Sequence, residues 1–175
     1  MPNIELRVPG LREMALRQMW LADPATMAYN RGRDLGDAEG YDPATGCIDF
    51  PTSDWRYWRQ VWLYNEPDFY SAYIRDADTG EAVGEVCWFR DGDAHTAGIL
   101  IAAAHRGRGY CAPALIALAD RAFAREDIGV LRCAVSVDDL PALRGYARAG
   151  FHRFGEIDGL AQLLLTREDW ERSRT

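Results

Sequence analysis

The stretch Arg106-Gly107-Arg108-Gly109-Tyr110-Cys111 decides how this chain is read. It follows an apolar run at 97–103 and opens a helical run at 112–123. Small residues therefore sit where a strand turns into a helix, with two guanidinium groups beside them. Glycines let the backbone approach an anion closely, and the unpaired N–H groups of a first helical turn point at it. Aligned peptide dipoles add partial positive charge at the same place. A phosphate-bearing ligand is the first expectation.

Around this turn, 175 residues with 48% hydrophobic content suit a single globular domain, 1–175. No apolar run reaches the ~20 residues needed to cross a bilayer, so no membrane span is expected. The Met-Pro-Asn-Ile-Glu start has no basic segment followed by an apolar one, so no signal peptide is expected either. A formal charge of -7 argues against general nucleic-acid binding, which rests on phosphate neutralisation by Lys and Arg. It suits an amine-bearing substrate better. Cys47, Cys87, Cys111 and Cys133 form no CxxC pair, and His95, His105 and His152 join them at no zinc spacing, so no metal is expected. Reduced thiols in the cytoplasm are the simpler reading.

The order of elements follows from periodicity. Residues 4–8 alternate as a strand, and 11–22 have mostly helical spacing, ending before Asp23-Pro24. Residues 29–51 are rich in Gly, Asp and Pro without a period. Trp55, Trp58 and Trp62 fall on one face of a helix over 54–65, with Thr52 or Ser53 as N-cap, and read as a packing face. Strands at 69–75, 83–90 and 95–103 turn at Asp78-Thr79-Gly80 and Asp91-Gly92-Asp93, forming an antiparallel meander. A helix over 112–124 then crosses to a strand at 131–137, parallel to the one before it. Asp139 caps a helix over 141–149 that stops at Gly150, and strands at 151–157 and 160–166 close the chain. The fold class is α/β (α+β): a single mixed, mostly antiparallel sheet with helices on both faces.

Two readings compete for the glycine turn. Gly107-x-Gly109-x-x-Ala112 matches a dinucleotide fingerprint, but only one parallel strand follows, where a doubly wound half needs βαβαβ. The second reading uses two motifs in order. Arg106-x-x-Gly109-x-Cys111 between strand and helix is followed by Asp139-x-x-Ala142-x-x-x-Tyr146-x-x-x-Gly150-Phe151. Together they resemble the GNAT superfamily of N-acetyltransferases, whose patterns run (Gln/Arg)-x-x-Gly-x-(Gly/Ala) and Asn-x-x-Ala-x-x-x-Tyr-x-x-x-Gly-Phe. The likeness covers 69–166 well and the N-terminal third in outline. Cys111 and Asp139 depart from it: the first is still small, and the second still caps a helix.

The resemblance implies an acyl-CoA N-acyltransferase fold with 69–166 as the acetyl-CoA-binding core. It implies N-terminal helices and an acceptor-site loop at 1–68, and it admits a homodimer. Acetyl-CoA would be the co-substrate and a small-molecule amine or a protein N-terminus the acceptor. The cofactor-binding residues would be Arg106, Gly107, Arg108, Gly109, Tyr110 and Cys111 at the pyrophosphate, with Asp139 and Tyr146 near the pantetheine arm. Pantetheine would lie in a gap beside the strand before the turn, bonded to the backbone of Ile99 and Ile101. An N–H of Leu100 or Ile101 would polarise the thioester carbonyl. Tyr146 is the candidate general acid, since a phenol is protonated at neutral pH.

For the base, His95 shares a sheet face with Ile99 and Ile101 and titrates near neutrality. Glu85 is the other candidate, because a carboxylate between Gly84 and Val86 in a sheet is unexpected. Cys111 as an acetylated nucleophile is a weaker idea than a cysteine filling a small-residue slot. Asp34, Asp37, Glu39, Asp42 and Asp49, with Tyr29 and Tyr41, could receive an ammonium group or form a solvated loop. The alternative to an enzyme is a non-catalytic acyl-CoA-binding or sensing module on the same scaffold.

Overall fold

The protein is described by a computed structural model over residues 1–36 and 38–174. Asp37, one of the acidic loop residues, lies outside the described residues.

Alternating apolar positions make the strands, and their registry makes one seven-stranded sheet. Strand β1 (Ile4–Arg7) is followed by helices α1 (Met14–Ala22) and α2 (Trp55–Trp62). Then come β2 (Phe69–Asp76), β3 (Ala82–Asp91) and β4 (Ala94–Ile101). The second half runs α3 (Cys111–Phe123), β5 (Val130–Ser136), α4 (Leu140–Arg148), β6 (His152–Ile157), β7 (Leu160–Thr166) and α5 (Arg167–Arg172). Spatially the strands lie in the order β1-β2-β3-β4-β5-β7-β6. Every neighbouring pair is antiparallel except β4 and β5, which are parallel.

That parallel pair holds together only at its start. His95 faces Leu131 and Thr96 faces Arg132, and the ladder goes no further. From Ala97 onward β4 keeps its antiparallel partner β3 but has no ladder on its other side. The sheet therefore splits beside Gly98 to Ile101, just before the glycine turn.

Each face carries its own core. On one side α3 and α4 bury Leu115, Leu118, Phe123 and Tyr146 against Val86, Ala97, Leu131 and Val135. On the other, α1 and the 50–58 region pack Met14, Trp20, Leu21 and Phe50 against Tyr73 and Leu100. The tryptophan face of α2 packs as its spacing predicts. Trp58 and Trp62 stack at 5.7 Å, and Trp62 meets Phe69 and Phe89 edge-on at 5.1 and 6.0 Å.

Local departures from expectation have local causes. Thr52 and Ser53 do not cap α2: they lie in a 3-10 turn, Thr52–Asp54, that leads into it without a side-chain cap bond. Asp139 does cap α4, accepting from Ala142 N–H at 3.0 Å. A short terminal helix, α5, is an addition; Thr166 ends β7 and caps α5 by accepting from Asp169 N–H at 3.1 Å.

Candidate active site

The glycine turn presents a row of backbone donors. Gly107 and Gly109 take φ of 75° and 87°, left-handed values that only glycine adopts cheaply. None of the N–H groups of Gly107, Arg108, Gly109, Tyr110, Cys111 and Ala112 has a protein acceptor among the described residues. They open on a cleft of about 590 Å³ lined by Met1, Pro2, Arg108, Gly109, Ala112 and Arg148. Two guanidinium groups and a helix N-terminus thus face one concavity, a fitting receptor for a pyrophosphate.

The other side chains of the turn serve its shape. The Arg106 guanidinium donates to the carbonyls of Ile101 (3.1 Å), Ala25 (2.9 Å) and Thr26. It ties the segment after α1 to the end of β4 instead of extending into the cleft. Tyr110 donates to the Asp76 carboxylate at 2.6 Å. Cys111 is directed at α4: a Cβ built at Gly145 would lie 2.4 Å from its Sγ. Burial pushes the Cys111 thiol up to about 11 despite its place at a helix start. Its thiolate is scarce at neutral pH, which removes the basis for a nucleophilic role.

Ladder alternation settles which groups face the split. Ala102 N–H bonds to Val83 carbonyl at 3.0 Å, so by parity Leu100 exchanges its bonds with Glu85. The main-chain groups of Ile99 and Ile101 then point the other way, toward β5. The Ile101 carbonyl is taken by Arg106, which leaves its N–H to the gap.

Tyr146 reaches the split from the α4 side. It is 4% exposed, and its ring meets Phe151 edge-on at 5.1 Å. Its pKa is raised well above 10, by burial first and by the neighbouring Cys133 and Cys111 thiols next. The phenol is therefore held in its protonated form. Cys87 also acts on it, although Cys87 belongs to the opposite face with Glu85.

Glu85 lies on that opposite face, across from Leu100 on β4 and Tyr73 on β2, and is 8% exposed. Its Oε2 is 3.3 Å from Nε of Arg17, a residue of α1. The Arg17 guanidinium rests on two rings, 4.6 Å from the Phe50 centroid and 4.2 Å from that of Trp58. Tyr29 belongs to the same group. It is 44% exposed as a whole residue, yet desolvation, then Glu85 and Cys87, push its pKa up to about 12.

His95 sits elsewhere. It starts β4, opposite Arg90 and Leu131 and 2% exposed. Roughly 13 Å of strand separates it from Ile99. Burial, then the Arg90 charge, lowers its pKa. The acidic loop is partly spent on itself. Asp34 accepts from Gly36 N–H, and Asp42 accepts from Ala44 N–H and the Thr45 hydroxyl.

Three residues of this region escape a reading of the sequence: Arg148, Arg17 and Cys133. Arg148 resembles an ordinary basic residue in a last helical turn. Arg17 resembles a solvated helix position. Only tertiary distance reveals either. Among the described residues no group of His, Cys, Asp and Glu could hold a metal ion. Among the described residues no helix is long and apolar enough to cross a membrane.

Comparison with known proteins places this geometry. Residues 38–151 match the Acetyltransferase (GNAT) family, and the chain belongs to that family. GNAT enzymes use acetyl-CoA as co-substrate without a metal. The chain is similar in structure to the aminoglycoside acetyltransferase AAC(6')-Ib in complex with coenzyme A. Identity is 21%, the TM-score is 0.72, and 99% of this chain and 100% of that one are covered. It is also similar to spermidine N-acetyltransferase from Vibrio cholerae in complex with CoA and spermine. Here identity is 14% and the TM-score 0.74, over 96% of this chain and 98% of that one. A GNAT-family acetyltransferase from Bacillus anthracis matches with 14% identity and a TM-score of 0.64, over 96% and 98% of the two chains. A search of the curated proteins finds no match.

Proposed function

We propose that this chain is an acetyl-CoA-dependent N-acetyltransferase that modifies a primary amine of a small molecule by direct transfer. The supporting observation is one continuous arrangement. A row of free N–H groups from Gly107 to Ala112 adjoins a split between β4 and β5. A buried carboxylate lies on one face of that split and a buried phenol on the other.

Acetyl-CoA, when bound, supplies an activated acetyl thioester. The N–H row, with Arg108 and Arg148, holds the pyrophosphate. Backbone groups of Ile99 and Ile101 that face the split bond the pantetheine arm, and Ile101 N–H polarises the carbonyl. Arg106 positions that N–H by fastening the adjoining carbonyl. Glu85, from the face that carries α1 and α2, takes a proton from the acceptor ammonium, directly or through water. Tyr146, from the other face, returns a proton to the departing sulfur. His95 has a packing role in this scheme. Asp139 acts through its cap, since its carboxylate is already engaged by Ala142.

Free cysteines at 47, 87, 111 and 133 suit a reducing compartment, and we place the protein in the cytoplasm. The test is turnover: purified protein with acetyl-CoA and a panel of primary amines, read by thiol release. Acetylation lost in Tyr146→Phe with acetyl-CoA affinity kept supports the enzyme. Acetyl-CoA binding with no turnover of any amine supports a sensing module instead.

A further inference from the structure

Resting on the reading of this chain as an acetyltransferase, we infer that its acceptor is an amine carrying a carboxylate a few bonds away, an amino acid or similar zwitterion. The charges at the acceptor face carry the inference. Glu85 is the anion there, and beside it stands a cation of the protein's own, Arg17, whose side chain is 15% exposed against 11% for Glu85.

The Arg17–Glu85 contact is incomplete. Nε and Oε2 lie 3.3 Å apart, yet both atoms are buried without a hydrogen bond. No other N–H of that guanidinium donates to an acceptor among the described residues, so the fork that suits a carboxylate is unused. The guanidinium sits in the corner made by Phe50 and Trp58, whose rings meet at 75°, and both rings touch it. A side chain so held and so poorly satisfied fits a ligand that completes its bonds. A carboxylate does this with two parallel hydrogen bonds.

Of the acidic loop, Asp34 and Asp42 are bonded into their own turns. A polyamine or an aminoglycoside would bring further positive charge against Arg17. A zwitterion instead offers its ammonium to Glu85 and its carboxylate to Arg17.

The test compares matched pairs at saturating acetyl-CoA: an amino acid against its decarboxylated amine, such as phenylalanine with phenethylamine and lysine with cadaverine, alongside spermidine and kanamycin. Acetylated product is read by mass spectrometry, and acetyl-CoA affinity is measured on the same preparation by calorimetry. We expect kcat/KM to favour the carboxylate-bearing member by at least about 100-fold. That preference should collapse in Arg17→Met, through KM, and be partly kept in Arg17→Lys, with acetyl-CoA affinity unchanged in both. Preference for the decarboxylated amines, spermidine or kanamycin overturns the inference, as does an equal loss for both members of a pair in Arg17→Met. Acetyl-CoA binding without turnover of any carboxylate-bearing amine also overturns it. Absence of acetyl-CoA binding removes the acetyltransferase reading itself, and the two failures are thus distinguishable.

Discussion

At the scale of single residues, the acid and the base differ in how they are kept ready. Tyr146 has its pKa raised by burial first, so it holds its proton across the neutral and mildly alkaline range. An acid that acts in its protonated form then sets no alkaline limb of its own below pH 10. kcat in the wild type should not fall between about pH 7 and 9.5, followed by thiol release at saturating substrate. A fall centred below pH 9 would assign the proton to another group. Removing the hydroxyl in Tyr146→Phe should lower kcat by about 100-fold or more while acetyl-CoA affinity stays near that of the wild type. Glu85→Gln keeps the shape of its site but cannot accept a proton. Its activity should fall at neutral pH and recover in part at higher pH, where more of the amine is already neutral. Both residues stand out in the sequence, Tyr146 by motif and Glu85 by its oddity in a strand. Arg17 does not, because a cation on an amphipathic helix looks solvated until Phe50 and Trp58 are seen to enclose it.

At the scale of elements, the site depends on three close approaches. Gly84 lets β3 lie close against the end of β4: a Cβ there would meet the Leu100 carbonyl at 2.0 Å. Gly84→Ala must displace the backbone beside the proposed carbonyl-polarising N–H. Loss of activity out of proportion to loss of stability, compared by kcat/KM and thermal melting, is the expected outcome. Gly145 and Cys111 share one slot between α3 and α4. Gly145→Ala should cost about 1–3 kcal/mol of overpacking, measured by denaturant titration. Adding Cys111→Ala should restore much of it, since contacting sites are not additive. Arg106 joins the end of β4 to the Ala25-Thr26 segment through three carbonyls. The order of strands and the crossover were readable from periodicity and turn residues. The split between β4 and β5 was not, because the register of a parallel pair leaves no local mark; the family resemblance alone suggested it. The same holds for the 3-10 turn before α2, where Thr52 and Ser53 look like caps until the chain is seen to coil one turn early.

Across the whole molecule, buried acids set the alkaline limit of stability. Burial pushes Cys87 and Cys133 up to about 12 and Cys111 up to about 11 from an ordinary 9.0. Each raised group binds its proton more tightly in the folded state. Its contribution is whole below the unfolded pKa and is lost as pH rises through the folded one. Thermal stability should therefore decline from about pH 9 upward, steepening toward 11 and 12. A melting temperature unchanged to pH 11 would mean that these thiols are not buried as described. At the acid side, Asp23, Asp42, Asp76, Asp127 and Asp169 have lowered values from bonds to Thr26, Thr45, Tyr110, Arg125 and Thr166. Their contribution holds above the ordinary 3.8 and disappears as pH falls below it.

The most direct single measurement is calorimetric titration of the protein with acetyl-CoA, with NADH as a counter-ligand and Gly109→Val as the variant. The free N–H row and the split beside it together predict micromolar binding of acetyl-CoA and much weaker binding of NADH, which shares the pyrophosphate but lacks the pantetheine arm. Gly109→Val, which puts a branched side chain at φ 87° inside the row, should abolish that binding. Absence of acetyl-CoA binding to the wild type, or equal binding by the variant, would contradict the assignment of the glycine turn.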